Sequence, residues 1–350
     1  ATVDLRTSAF SPIYSSFVDI SGLKAGNGRV IFVGGSLLKL PAVASVNLEE
    51  KKIDIIYQSG KANLGVSNIS RPVPVSIPVG EDETTHGFFY QPQNASYVGP
   101  LDALPPLIVK CHGGPTGQTS AALNLKTQYW TTRGFAVLDI NYRGSSGYGR
   151  AYREKLNGKW GLVDVEDCVS GANWLAAKGW VDKDRMAISG NSAGGYTTLC
   201  AITFEECFAA GASYYGIGDL SELAKETHKF ESSYLDILIG SLPEENSNLS
   251  GRSPIKFVEM LTCPVIFFQG LDDKVVSPAQ AEAMVTALRK NGIPVAYLPF
   301  SNEGHGFRQS ENIKRALEGE LYFYSRVFGF QPADNVPTLS IENARGLSKE

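Results

Sequence analysis

The chain reads as an α/β protein: a mostly parallel sheet with helices on both faces, preceded by a β-rich segment. Two observations predict this. From about Thr84 onward, short apolar runs alternate with helical stretches, as in parallel sheets covered on both sides. Within that alternation, the run Met186-Ala187-Ile188-Ser189 turns abruptly through Gly190-Asn191-Ser192-Ala193-Gly194-Gly195 into the helix-like Tyr196-Thr197-Thr198-Leu199-Cys200-Ala201.

The expected strands are His86 to Tyr90, Leu107 to Lys110, Phe135 to Ile140, Met186 to Ser189, Ala209 to Tyr214, Val265 to Gln269 and Val295 to Pro299. Between them, Asp164 to Ala177 reads as a helix with Asp164 as N-cap and an end near Gly179. Ser277-Pro278 places a cap before an N1 proline, so a second helix runs to Lys290 with Gly292 beyond it. Residues 1–82 read differently. Arg29 to Val33 is strand-like, and Ala44 to Leu48 and Ile53 to Tyr57 flank the polar turn Glu49-Glu50-Lys51-Lys52. Such hairpins recur in β-propellers at about 40 to 45 residues per blade. This stretch therefore holds two blades at most, where a closed propeller needs about four to eight. The expectation is an accessory hairpin layer or the tail of something larger over 1–82, an α/β domain over 83–330 and a loose tail over 331–350.

Bulk properties narrow the function. At 350 residues, 43% hydrophobic, the chain can build a large core. A net charge of -4 with scattered Lys and Arg offers no basic field for nucleic acid. An apolar run of membrane-spanning length is lacking, as is a basic-then-apolar leader. The five cysteines (Cys111, Cys168, Cys200, Cys207, Cys263) are odd in number and sit mostly in apolar segments, which reads as reduced thiols in a cytoplasmic setting. Glycosylation-type triplets at Asn68, Asn94 and Asn248 carry little weight against that. Four histidines without a second ligand at useful spacing give no metal site, and no cofactor is implied.

The strand–Ser–helix turn is the elbow on which an α/β-hydrolase fold presents a nucleophile, with glycines where side chains would collide. A serine needs a histidine to take its proton, and the histidine needs a carboxylate; the expected chain order is Ser, acid, His. Val265 to Gln269 runs into Gly270-Leu271-Asp272-Asp273, and Val295 to Pro299 opens into Glu303-Gly304-His305-Gly306-Phe307. Both candidates thus lie at carboxyl ends of strands, on the same sheet edge as Ser192. Asp272, first off its strand, is the favoured acid. His86, His112 and His228 lie out of order, which leaves His305. The amide of Ala193 is the first oxyanion donor. For the second, the residues leave two loops open: His112-Gly113-Gly114-Pro115, with a backbone donor, and Asn141 to Gly149, with a tyrosine hydroxyl.

The ordered set His112 to Pro115, Asn141 to Gly149, Lys159-Trp160-Gly161 with Asp164 and Asp167, Gly190 to Tyr196, Asp272-Asp273 and Gly304-His305-Gly306 resembles the prolyl oligopeptidase family of serine peptidases, in its acylaminoacyl-peptidase and dipeptidyl-peptidase branch. The resemblance spans about Arg71 to Phe328. It implies Ser192 as nucleophile, Asp272 as acid, His305 as base and Tyr148 as the oxyanion tyrosine beside Ala193. Arg143, by its place in the loop, reads either as a contact to a substrate carbonyl or carboxylate or as half of a structural salt bridge. The resemblance implies short peptides as substrates, hydrolysed through an acyl-enzyme. A full propeller precedes the hydrolase domain in that family, so residues 1–82 read as a partial β-propeller remnant before a catalytic domain over 83–330. The chain then reads as a fragment of a longer protein or a shortened form with an uncovered active site; the isolated chain is expected to associate with copies of itself. The alternatives are a carboxylesterase or lipase-like hydrolase, or a non-catalytic binding protein on the same scaffold.

Overall fold

The computed structural model describes residues 1–61, 63–226, 232–240 and 247–347; His228 lies outside them. The chain divides into two compact units, one formed by Ala1–Val73, Tyr90–Val98 and Ser120–Arg133, the other by Pro74–Phe89, Gly99–Thr119 and Gly134–Glu350.

In the first unit, β1 (Thr2–Val3) pairs with β2 (Phe10–Ser11), and β3 (Asp19–Gly26), β4 (Arg29–Gly35), β5 (Ala42–Asn47) and β6 (Ile53–Gln58) form one antiparallel sheet in that order. This sheet has the size and strand order of a single propeller blade, as expected for a remnant. Its small core is Phe32, Ala44 and Val46, with Phe17 packed edge-on against Phe32. A short helix, α1 (Leu125–Thr131), belongs to the same unit and is capped by Asn124, whose side chain accepts from the Lys126 amide.

The large sheet is formed by β7 (Val73–Val79), β8 (Glu83–Tyr90), β9 (Leu107–Cys111), β10 (Ala136–Asn141), β11 (Met186–Asn191), β12 (Ala210–Tyr214), β13 (Val265–Gly270) and β14 (Val295–Phe300). Its order is β14-β13-β12-β11-β9-β10-β8-β7, and every pairing from β10 to β14 is parallel. This is the α/β-hydrolase arrangement. Each strand expected in this sheet is present, with ends that differ from the expected ones by up to three residues. The sheet starts at β7, ahead of the expected boundary at residue 83, because the alternating run Val73–Val79 buries Val75, Ile77 and Val79 on one face.

The helices of the second unit are α2 (Arg150–Glu154), α3 (Val163–Ala177), α4 (Ala193–Phe204), α5 (Leu220–Glu226), α6 (Ser232–Ile239), α7 (Ser247–Gly251), α8 (Pro278–Lys290) and α9 (Ser310–Phe328). Ser277 caps α8 as expected. Asp164 does not cap α3. It lies in the first turn, fully buried, and its carboxylate reaches back to the Gly161 amide and across to Thr197 on α4. Among the described residues no helix is long and apolar enough to cross a membrane.

Within the stretch expected to be a loose tail, Glu342 and Asn343 are anchored. Glu342 exchanges two backbone hydrogen bonds with Val295 at the sheet edge and pairs with Arg289, and Asn343 donates to the carbonyls of Arg289 and Ile293. An unpaired edge strand offers such bonds to any passing segment. Here Glu342 takes up two of them.

Candidate active site

β11 ends in a turn that leaves Ser192 at φ 55°, ψ -120°, a conformation that a non-glycine residue keeps only when its surroundings enforce it. The enforcement is visible. A Cβ on Gly190 would strike the backbone of Gly194, and one on Gly194 would strike the carbonyl of Cys111. The Ser192 amide donates to the Tyr214 carbonyl at 2.9 Å. The hydroxyl is thereby held proud of the sheet at the N-terminus of α4.

His305 comes from the loop after β14. Its Nε2 lies 2.8 Å from Ser192 Oγ, and its Nδ1 lies 2.9 Å from Asp273 Oδ2. Glu303, buried two residues earlier, fixes this loop by accepting from the amides of Arg308 and Gln309 and from the Asn312 side chain. Tyr215, at φ 39°, sets its ring edge-on to the imidazole, 4.8 Å between centroids.

The acid that meets the histidine is Asp273, one residue beyond the favoured Asp272. β13 continues to Gly270, and the chain then turns, with the Asp273 amide donating to Gly270 and the Asp272 amide to Glu303. That turn leaves Asp272 exposed and sends Asp273 inward. Burial alone would raise the Asp273 carboxyl. Hydrogen bonds from His305 and from the Val276 and Val275 amides outweigh it and hold the group below the usual carboxylate value, hence ionised.

Two other expected residues lie elsewhere. Tyr148 stacks flat on His86, 4.4 Å between centroids, leans on Tyr152, and accepts from Asn141 Nδ2 at 3.3 Å; it is not among the residues lining the cavity at Ser192. The loop that does face the serine is His112 to Pro115. A Cβ on Gly113 would sit 3.3 Å from Ser192 Cβ and 2.8 Å from Asn191 Nδ2. That loop is anchored by His112, which stacks on Tyr142 and places Nε2 2.7 Å from Ser145 Oγ. Among the described residues, the amides of Ala193, Gly113 and Gly114 have no acceptor. Arg143 does not reach the cavity either. Its guanidinium binds the buried Asp167 through Nε at 2.8 Å and Glu166 at 2.6 Å, and its amide binds Asp167 as well.

Beside Ser192 and His305 opens a cavity of about 740 Å³ walled by Trp160, Ile217, Leu223, Tyr234, Leu235, Leu238, Val275 and Val276. Periodicity alone did not mark these as one surface, because they come from four separate segments. A serine, an imidazole and a carboxylate in line, with free amides next to the hydroxyl and an apolar cleft alongside, can transfer an acyl group.

Comparisons with known proteins point to one family. The model of the prolyl oligopeptidase family matches residues 121–331. Dipeptidyl aminopeptidase BIII of Pseudoxanthomonas mexicana is 32% identical over 249 residues, covering 69% of this chain and 36% of that protein. An acylamino-acid-releasing enzyme of Arabidopsis thaliana is 31% identical over 211 residues, 57% of this chain and 27% of the other. Among solved structures, a puromycin-hydrolyzing peptidase of Mycobacterium tuberculosis superposes with a TM-score of 0.94 at 39% identity, over 97% of this chain and 52% of that one. The chain thus spans about a third of the length of these curated relatives and about half of the solved structure.

Proposed function

Because the chain belongs to the prolyl oligopeptidase family of serine peptidases, we propose that it hydrolyses short peptides by acyl transfer through Ser192, His305 and Asp273. The observation that carries this reading is the unbroken line from Ser192 Oγ to His305 Nε2 and from His305 Nδ1 to Asp273. In it, Ser192 attacks the scissile carbonyl while His305 takes the hydroxyl proton. Asp273 orients the ring and stabilises the imidazolium that forms. The oxyanion is held by the Ala193 amide at the start of α4 and by the Gly113–Gly114 amides, each donor supplying about 2.7 to 4 kcal/mol. His305 then hands its proton to the leaving amine, and water repeats the sequence on the acyl-enzyme.

The cleft supports a preference on the acyl side. Trp160, Tyr234, Ile217, Leu235 and Leu238 suit a large apolar or aromatic side chain next to the cleaved bond. Two relatives of known structure are named for hydrolysing puromycin, which fits amide cleavage at such a site. The test is labelling by a fluorophosphonate and turnover of blocked peptide amides with Phe or Ala before the cleaved bond. Wild type should label and favour Phe; Ser192→Ala should do neither. Full turnover by the alanine variant would refute the assignment.

A further inference from the structure

The cavity beside Ser192 is lined, among the described residues, by no Asp or Glu side chain. It does carry one ammonium. Lys274 lines it, is exposed, and has no ion-pair or hydrogen-bond partner among the described residues. The neighbouring Asp272 is exposed too, but neither pairs with Lys274 nor lines the cavity.

Its placement is fixed by the relay itself. Asp273 binds His305 through one carboxylate oxygen; the other accepts the amides of Val275 at 2.9 Å and Val276 at 3.0 Å. Lys274 therefore sits within the tight turn that this carboxylate closes. Its flanking residues are committed, Asp273 to the imidazole and Val275 to the cavity wall. An unpaired cation beside low-dielectric aromatic walls attracts an anion more strongly than one on an open surface. A reader of a peptide's free amino end would need the opposite charge, which the described lining does not offer.

We propose that Lys274 is a specificity-determining residue that pairs with a carboxylate of the bound peptide close to the cleaved bond. The inference rests on the peptidase reading above and names its substrate class: peptides carrying negative charge beside a large apolar residue. The carboxylate comes from an acidic side chain or from the free carboxyl end, and the two are separable.

The experiment uses blocked peptides of the form acetyl-Xaa-Phe-Yaa-amide, cut after Phe. Glu replaces Gln at Xaa in one pair and at Yaa in a second. A third pair is acetyl-Ala-Phe-Ala with a free or an amidated end. At least one acidic member should exceed its neutral twin by roughly twofold to fivefold, expressed mainly in KM. The advantage should shrink as ionic strength rises from about 0.01 to about 1 M. Lys274→Met keeps an apolar stem without the charge and should bring the twins to equal kcat/KM; Lys274→Glu should favour the neutral twin. Equal acid-to-neutral ratios in wild type and Lys274→Met across all three pairs overturn the proposal. Labelling of Ser192 and cleavage of the neutral peptides test the peptidase reading separately, so failure of one is not mistaken for failure of the other.

Discussion

Asp273 Oδ2 stands 2.9 Å from His305 Nδ1, while Asp272, its immediate neighbour, donates only a backbone N–H, to Glu303. Two adjacent carboxylates thus have opposite fates, and their variants should diverge. Asp273→Asn should lower kcat by about 10⁴-fold, because an amide cannot hold the imidazole in the required tautomer. Asp272→Asn should stay within about twofold of wild type, as exposed substitutions generally do. Steady-state kinetics on one blocked peptide, with fluorophosphonate labelling rates, decides it; the reverse ranking would reassign the acid.

The oxyanion donors make a second contrast. At Gly113, an added Cβ meets Asn191 Nδ2 at 2.8 Å and the Asn191 carbonyl at 3.0 Å, so Gly113→Ala must displace either this loop or Asn191, the residue just before Ser192. The expected cost is about 10²- to 10³-fold in kcat with little change in KM. Tyr148→Phe loses one hydrogen bond from Asn141, outside the cavity lining, and should retain at least half of wild-type kcat. A loss of about 100-fold in Tyr148→Phe would restore the tyrosine as donor.

These two cases show what the chain discloses before folding. The elbow at Ser192 was legible because Gly190 and Gly194 have no tolerable substitute, and His305 because only one histidine follows an acid and a strand end. The strands were legible because both faces of the parallel sheet are apolar. The choice between Asp272 and Asp273 was not. It turns on whether β13 ends at Gln269 or Gly270, and a slip of one residue reverses inward and outward. Tyr148 misled, and the two readings of Arg143 stayed open, for another reason. A tyrosine or an arginine in a Gly-rich loop looks the same in sequence whether it meets substrate or meets His86 and Asp167. The cleft walls, drawn from distant segments, exist only as tertiary structure.

Arg143 gives a third expectation. Its side chain is 8% exposed and the Asp167 side chain it binds is 0% exposed. Arg143→Ala therefore leaves a carboxylate buried without its cation and should cost roughly 3 to 5 kcal/mol of stability. Arg143→Lys, with one donor group in place of a fork, should cost less. Urea unfolding measures the loss. KM for peptide, taken well below the melting temperature, should match wild type, whereas a substrate-binding arginine would raise it.

Asp164 sets a pH dependence of stability with a definite sign. Burial raises its carboxyl to about 6 from 3.8, the hydrogen bonds from Thr197 and Gly161 offsetting only part of the cost. The folded protein therefore binds a proton that the unfolded chain has already released between about pH 4 and pH 6. Stability from this group is present at low pH and is lost as pH rises through about 6, by roughly 3 kcal/mol in all. Asp139 and Glu320, also raised by burial, act in the same sense. Asp164→Asn isolates the contribution. Its carbonyl still accepts from the Gly161 amide. Its amide can donate to Thr197 Oγ1, whose own proton turns to the Ala193 carbonyl 3.2 Å away. Relative to wild type, the variant should gain stability in urea unfolding as pH goes from 5 to 7.5, and parallel curves for the two proteins would show that Asp164 is ionised in both states throughout that window.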